Sequence, residues 1–225
     1  MRNQLALFGL LFFYQSLAWS DLSLRVIDQQ GDPLVNVVVA IAADNLQARN
    51  SAMLPDKSAI KDTLAVMDQV DKQFSPHVLI VEKGQQVVFP NSDQVRHHVY
   101  SFSKPNEFEI KLYSGDQADP VRFEYPGIVV LGCNIHDQMV GYIYVAENEL
   151  AKVTDDQGYV HFEGLSVAAP EDLDVTLWHS RLSNSKVERV KQTLGEQQPN
   201  GDWQLVLDLL PEVTKETRKF KPRFQ

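Results

Sequence analysis

Cys133, the only cysteine of the chain, is followed at even spacing by His136 and Met139 in the run Gly132-Cys133-Asn134-Ile135-His136-Asp137-Gln138-Met139. A thiolate, an imidazole and a thioether on one short loop are soft donors suited to copper. Two His and one Cys in a near-trigonal plane, with a long axial Met, make a blue-copper electron-transfer site. The loop offers three of those four donors. The fourth has to come from upstream, and FPNSDQVRHHVYSFS supplies His97 and His98, the first of them 36 residues before the cysteine. Zinc is the weaker fit, because structural zinc takes four strong donors and a thioether is a poor one.

These donors need rigid neighbours. EYPGIVVLG before the loop and GYIYV after it read as strands, so the loop joins two strands. Successive residues of a strand face opposite sides, so only one of His97 and His98 can point at a given metal. Elsewhere the chain alternates short β runs with turn chemistry. LSLRVI at 22–27, the turn DQQGDP and the run LVNVVVAIA form one strand–turn–strand unit. KVTDDQGYVHFEGL repeats that grammar far downstream, and LDVTLWHS and DWQLVLDLL add strands. Further strands are expected around Phe108–Leu112 and Val121–Tyr125. Residues 43–65 lack periodicity and read as a linker, and MDQVDKQFSP at 67–76 as a polar excursion entering the next strand. With no long amphipathic helix and no internal repeat, the chain reads as all-β.

The segments VLIVEKGQQVVFPNSD, HHVYSF and FEYPGIVVLGCNIHDQMVGYIYV resemble a small cupredoxin of the plastocyanin and amicyanin type. The two residues between His136 and Met139 match the short amicyanin loop. The resemblance covers residues 76–146, about a third of the chain. From MDQ at 67–69 to WH at 178–179 the chain also resembles periplasmic plastocyanin-like proteins labelled methylamine utilization proteins, a family label that does not establish methylamine as a substrate. In the family the first ligand follows an Asn-containing turn by six residues, and Asn91 to His97 is that spacing. The implied metal ligands are His97, Cys133, His136 and Met139. Cys133 is the thiolate, His97 and His136 are neutral imidazoles, and Met139 is the weak axial donor. His136 is the implied exposed ligand and electron route. His98 stands where similar proteins carry an Asn that ties the two loops together. Asp137 stands where they often carry Pro. Gly132 and Gly141, flanking the loop, suggest close backbone approach.

V-x-D-x-x-G-x-P-L-x-x-V-x-V followed by T-D-x-x-G-x-x-x-F is similar to transthyretin-like, carboxypeptidase-regulatory-like sandwich modules. Here about 100 residues separate the two halves. The expected organisation is a leader at 1–20, a split second sandwich from 21–45 and 147–210, a cupredoxin copper domain at 66–146, and a basic tail at 211–225. The alternative is extra strands packed directly on the copper domain. The expected architecture is therefore a Greek-key cupredoxin β-sandwich inserted in, or packed on, a smaller β-sandwich.

At 225 residues the chain can hold one large or two small domains. A formal charge of −9 and a pI near 5.1 argue against nucleic acid as a partner. Residues 1–20 combine Arg2 with LALFGLLFFYQSLAWS, a secretory signal pattern with a cut before Asp21 or after Ala18. An uncleaved anchor is the rival reading. Removing 1–20 takes away Arg2 and no acid, which moves the charge from −9 to −10. A lone cysteine in an exported chain is reactive, paired with another chain, or a ligand, and ligation would shield the thiol in an oxidising compartment.

The expectation is a periplasmic electron carrier with one copper, meeting redox partners such as a cytochrome or a dehydrogenase, and not associated with a membrane once the leader is removed. No clustered histidines suggest a second, catalytic metal site, so an enzyme is not expected. Copper carriage or sequestration, and an adhesion or carbohydrate-binding module with structural copper, are the alternatives. His77, His161, His179 and Met67 read as surface or packing residues.

Overall fold

The structure, a computed structural model, describes residues 21–46, 57–60, 63–115, 118–136, 138–165, 167 and 170–212. The expected leader at 1–20, part of the expected linker (47–56 and 61–62), Asp137 and residues 213–225 of the tail lie outside the described residues.

The described chain is all-β apart from one helical turn at Lys57–Ile60 and short 3-10 turns. Its strands are β1 (Leu22–Ile27), β2 (Val38–Ala42), β3 (Leu64–Val66), β4 (Asp68–Val70), β5 (Gln73–Ser75), β6 (Val78–Glu82), β7 (Gln86–Val88), β8 (His97–Ser101), β9 (Phe108–Tyr113), β10 (Val121–Arg122), β11 (Gly127–Cys133), β12 (Val140–Ala146), β13 (Glu149–Val153), β14 (Tyr159–Phe162), β15 (Asp174–Trp178), β16 (Val190–Thr193) and β17 (Trp203–Val206).

They form two sandwiches. The terminal sandwich, drawn from both ends of the chain, has sheets of order β14-β1-β17 and β13-β2-β15-β16. Its core contains Leu24, Val26, Val39, Ile41, Phe162, Leu177 and Leu205. The central sandwich has a five-stranded sheet, β6-β12-β11-β8-β9, and a smaller sheet, β10-β7-β3, with the β4–β5 hairpin beside them. Met67, Phe74, Val87, Phe89, Val99, Phe123, Val129, Leu131 and Ile143 fill it, together with Cys133 and Met139.

The two sandwiches share a third core. Val38, Ala40 and Trp178 of the terminal sandwich pack on Val78, Ile128, Tyr142, Tyr144 and Ala146 of the central one. Trp178 meets Tyr142 edge to face at 5.1 Å. This explains two sequence runs with no polar face. In β2, Val38 and Ala40 face the seam while Val39 and Ile41 face the terminal core; all four are fully buried. In β12, Tyr142, Tyr144 and Ala146 face the seam while Ile143 and Val145 face the central core. Strands buried on both faces read as continuous apolar runs.

The matched turns of the terminal sandwich are chemically alike. Asp28 Oδ1 accepts from the amides of Gln30 and Asp32, and Asp155 Oδ1 accepts from those of Gln157 and Tyr159. Gly158 lies against β1 with φ +78°, and a Cβ there would meet the Val26 carbonyl oxygen at 2.5 Å. Both the conformation and the space require glycine.

Two expectations need correction, and one strand carries little sequence signal. Residues 43–65 are not linker throughout: Leu64–Val66 form β3, which pairs parallel with β7. The 67–76 segment is an antiparallel hairpin, β4–β5, rather than an irregular excursion. Its turn residues Asp71 and Lys72 both have positive φ, the geometry of a two-residue hairpin loop; without Asn-Gly or Asp-Gly the sequence hides it. β16 was not anticipated, because its alternating half-buried pattern in VKQT carries little apolar signal.

Trp178 is the largest side chain buried at the seam. Trp178→Ala should lower unfolding free energy by about 3–5 kcal/mol in denaturant titration. A loss below about 1 kcal/mol would show that the seam is held by other contacts.

Candidate metal centre

Cys133 ends β11 and Met139 immediately precedes β12, so the loop between them is a strand-to-strand connection. It is closed by its own backbone: the Met139 amide donates to the His136 carbonyl at 2.8 Å and the Cys133 amide to the Met139 carbonyl at 3.2 Å. Gly132, paired with Tyr100 across the β8–β11 ladder, and Gly141, paired with Leu131 across the β11–β12 ladder, leave room for side chains rather than for backbone. A Cβ at Gly132 would stand 2.8 Å from the Tyr100 ring, and one at Gly141 2.7 Å from Phe74 Cβ. The expected close backbone approach is thus replaced by aromatic packing on both glycines.

His97 opens β8 and Cys133 pairs with Val99 across the β8–β11 ladder. This register brings His97 Nδ1 to 3.5 Å from Cys133 Sγ. The His97 and His136 rings are 5.1 Å apart. One donor atom from each of His97, Cys133 and His136 lies within 4.8 Å of the other two, and among the described residues no other group of three or more His, Cys, Asp or Glu does so. His97 and Cys133 are buried and His136 is half-buried. Met139 is buried in the same core as Cys133. All four sequence-selected residues therefore lie in or beside one cluster. His136 Nδ1 is buried with no hydrogen-bond partner. A buried imidazole nitrogen without a hydrogen-bond partner, on a residue grouped with a thiol and a second imidazole, is a donor suited to a cation, since buried polar atoms are otherwise paired. The donors are those of a soft metal, and copper fits them.

The neighbouring histidine is elsewhere. His98 points to the other side of β8, where its Nε2 lies 2.9 Å from Glu109 Oε1 on β9. Among the described residues His98 makes no hydrogen bond to the Cys133 loop, so it does not take the loop-tying place of the Asn in similar proteins. Met67 is a fully buried packing residue of the central core.

Asn91 shows why a six-residue spacing positions His97. Its side-chain amide donates to the carbonyls of Val95 and Tyr113, at 2.9 and 3.0 Å, and its side-chain oxygen accepts from the Asp93 amide at 3.1 Å. Gln69 braces the same turn: its side chain donates to the Pro90 carbonyl, and its own carbonyl accepts from the Ser92 amide.

Asp93 is the functional residue that sequence reasoning missed. Its Oδ2 lies 2.7 Å from His97 Nε2, and its two oxygens also accept from the amides of Asp71 and Lys72 at 2.8 and 2.9 Å. Burial alone would raise its pKa, but these amides and the His97 ring bring it below the ordinary value. The carboxylate holds the proton of His97 on Nε2, which leaves the Nδ1 lone pair facing Cys133. The available signal was an acid four residues ahead of a candidate ligand, in a turn.

No family model and no curated protein matches the sequence. Among solved structures the chain is similar to a copper-containing nitrite reductase from Thermus scotoductus SA-01, with 27% identity over 38% of this chain and 23% of that one and a TM-score of 0.36. It is similar to a purple cupredoxin from Nitrosopumilus maritimus, at 21% identity over 38% of this chain and 100% of that one, TM-score 0.33. It is also similar to a proline-to-glycine variant of amicyanin in its reduced Cu(I) form, at 19% identity over 49% of this chain and 99% of that one, TM-score 0.35. The chain thus spans less than a quarter of the nitrite reductase chain.

Two substitutions separate the adjacent histidines: His97→Ala should abolish tight copper binding in a competition titration, whereas His98→Ala should preserve it. The opposite result would place the strand phase on the wrong face. Asp93→Ala should weaken copper affinity about 10- to 100-fold, the usual cost of removing a ligand's orienting partner. Unchanged affinity would reduce Asp93 to a turn-forming residue.

Proposed function

We propose that this protein is an exported, periplasmic electron carrier of the cupredoxin kind, with one type 1 copper held by His97, Cys133, His136 and Met139. The observation that carries this reading is the 3.5 Å approach of His97 Nδ1 to Cys133 Sγ, with the unpartnered His136 Nδ1 completing the set. Copper bound there supplies a one-electron Cu(II)/Cu(I) couple.

The chain's contribution is to keep the donors in place. Cys133 and His97 sit on paired strands, Asp93 fixes the His97 ring, and the loop's backbone bonds fix His136 and Met139. A ligand set fixed in this way does not rearrange between oxidation states, which suits outer-sphere transfer. It also leaves no position for a substrate, which supports a carrier over an enzyme. His136 is the least buried of the three clustered donors. Ile135 beside it, and Val95 two residues before His97, are exposed apolar side chains. They favour an apolar contact with a redox partner, proposed as a cytochrome or a dehydrogenase. Copper carriage uses the same donors but requires a yielding site, whereas His97 and Cys133 are locked into a packed core.

Protein loaded with Cu(II) should show an intense thiolate charge-transfer band near roughly 600 nm, the mark of this site class. Cys133→Ala should remove it. Voltammetry should give reversible one-electron cycling with copper retained in both states. A colourless copper protein would end the type 1 assignment, and rapid loss of Cu(I) to a modest chelator without electron exchange would move the assignment to carriage.

A further inference from the structure

The seam between the sandwiches carries titratable groups that the copper reading does not use. His179 follows Trp178 at the end of β15 and begins a loop that folds back over the seam. In this loop the Leu182 amide donates to the His179 carbonyl at 3.0 Å, and the Lys186 amide to the Ser183 carbonyl at 3.1 Å. Trp178 Nε1 donates to the Lys186 carbonyl at 3.0 Å, so the loop caps the buried indole. Arg181, within it, also holds the segment after β17: its Nε donates to the Leu210 carbonyl at 2.7 Å, and the Leu210 amide donates to the Arg181 carbonyl at 2.8 Å.

The loop depends on a neutral imidazole. His179 Nδ1 accepts a hydrogen bond from the Arg181 amide at 3.2 Å. A proton on Nδ1 would turn that acceptor into a donor facing a donor. From the other sandwich comes His77, an exposed residue just before β6 whose ring still packs edge to face on Tyr142 at 5.3 Å, so it is the lesser partner of the more buried His179. The charged and titratable groups facing the pair are Lys186, which acts on His77, and Arg181 and His77, which act on His179.

We propose that the 179–186 loop is an acid-sensitive latch between the two sandwiches: proton uptake by His179 and His77 breaks the His179–Arg181 bond, places like charges across the seam, and uncovers Trp178.

The direction follows from linkage. Burial and then Arg181 and His77 depress His179 from 6.5 to about 4; burial and then Lys186 lower His77. A histidine with a depressed folded value stabilises the closed seam above its free value of 6.5, and that contribution is lost as pH falls from there toward about 4. For His179 the full gap shifts the opening equilibrium on the order of 100-fold. Glu149, elsewhere on the seam, works the other way. Its carboxyl is raised by burial, against the opposing effects of Tyr144 and Arg189, so it binds protons more readily when the seam is closed. The test must therefore separate the histidines from it.

The experiment uses the full chain with Trp19→Phe and Trp203→Phe, so that Trp178 is the one tryptophan left to report. Acrylamide quenching of its fluorescence is followed from pH 7 to pH 4, with far-UV circular dichroism alongside. Quenching should rise between about pH 6.5 and 4 while the β signal persists. The His77→Gln, His179→Asn pair, in which the Asn oxygen can still accept from the Arg181 amide, should remove that rise. If the pair does not fold, Lys186→Gln replaces it and should move the midpoint to lower pH, since less charge then opposes His77. Quenching that stays flat to pH 4, or that rises identically in these variants, overturns the latch.

Discussion

Two strands of this molecule have no face to give to water. β2 and β12 each present one side to a sandwich core and the other to the seam between sandwiches. Neither sandwich can therefore be finished alone, because the outer face of each inner sheet is apolar and needs the other sheet to cover it. Every other packing choice follows. Tyr142, Tyr144 and Trp178 supply the bulk between the inner sheets. The polar ends of those rings are met at the rim, where Arg189 donates to the Tyr144 hydroxyl at 3.1 Å and lies 3.8 Å from Glu149. β12, anchored on both faces, is in turn the firm post from which the Cys133–Met139 loop is hung.

The candidate metal centre is an example of rigidity assembled from ordinary parts. One ladder register sets the approach of His97 to Cys133, and one carboxylate sets the orientation of the ring. Asp93 receives three donors at once, from His97 and from the amides of Asp71 and Lys72. The β4–β5 turn and the ligand ring thus share one anchor, and displacement of either is felt by the other. The cost of the turn's left-handed residues is offset by these charge-assisted bonds.

Much of this was legible in the residues. The lone cysteine with His136 and Met139 at fixed spacing marks the loop, and strand alternation allows only one of His97 and His98 to face a metal. The glycine turns at 28–33 and 154–158 showed which distant segments share a grammar. What the sequence withheld depends on three-dimensional partners. Asp93 is an ordinary turn residue until a ring is placed 2.7 Å from it. The β4–β5 turn uses residues that rarely adopt positive φ. The apolar run in β2 announced a strand but not that it would be covered twice, because periodicity is silent when both faces are buried. His98 has a partner, Glu109, that only the β8–β9 register could reveal.

The connectivity has a consequence for how the chain comes to be folded. β1 lies beside β17, with Leu24 opposite Trp203, and β2 lies between β13 and β15. Each strand of the central sandwich pairs only with others from residues 64–146, so its hydrogen-bond ladders can form while the chain is still growing. The first two strands must meanwhile wait for partners that emerge more than 100 residues later. During that interval Val38, Val39, Ala40 and Ile41 are an uncovered β-forming run with no charge of their own. Such a run is a hazard for intermolecular pairing. Loop closure over so long a span is slow relative to local pairing. Yield of this protein should therefore depend on how well the Val38–Ile41 run is protected during synthesis.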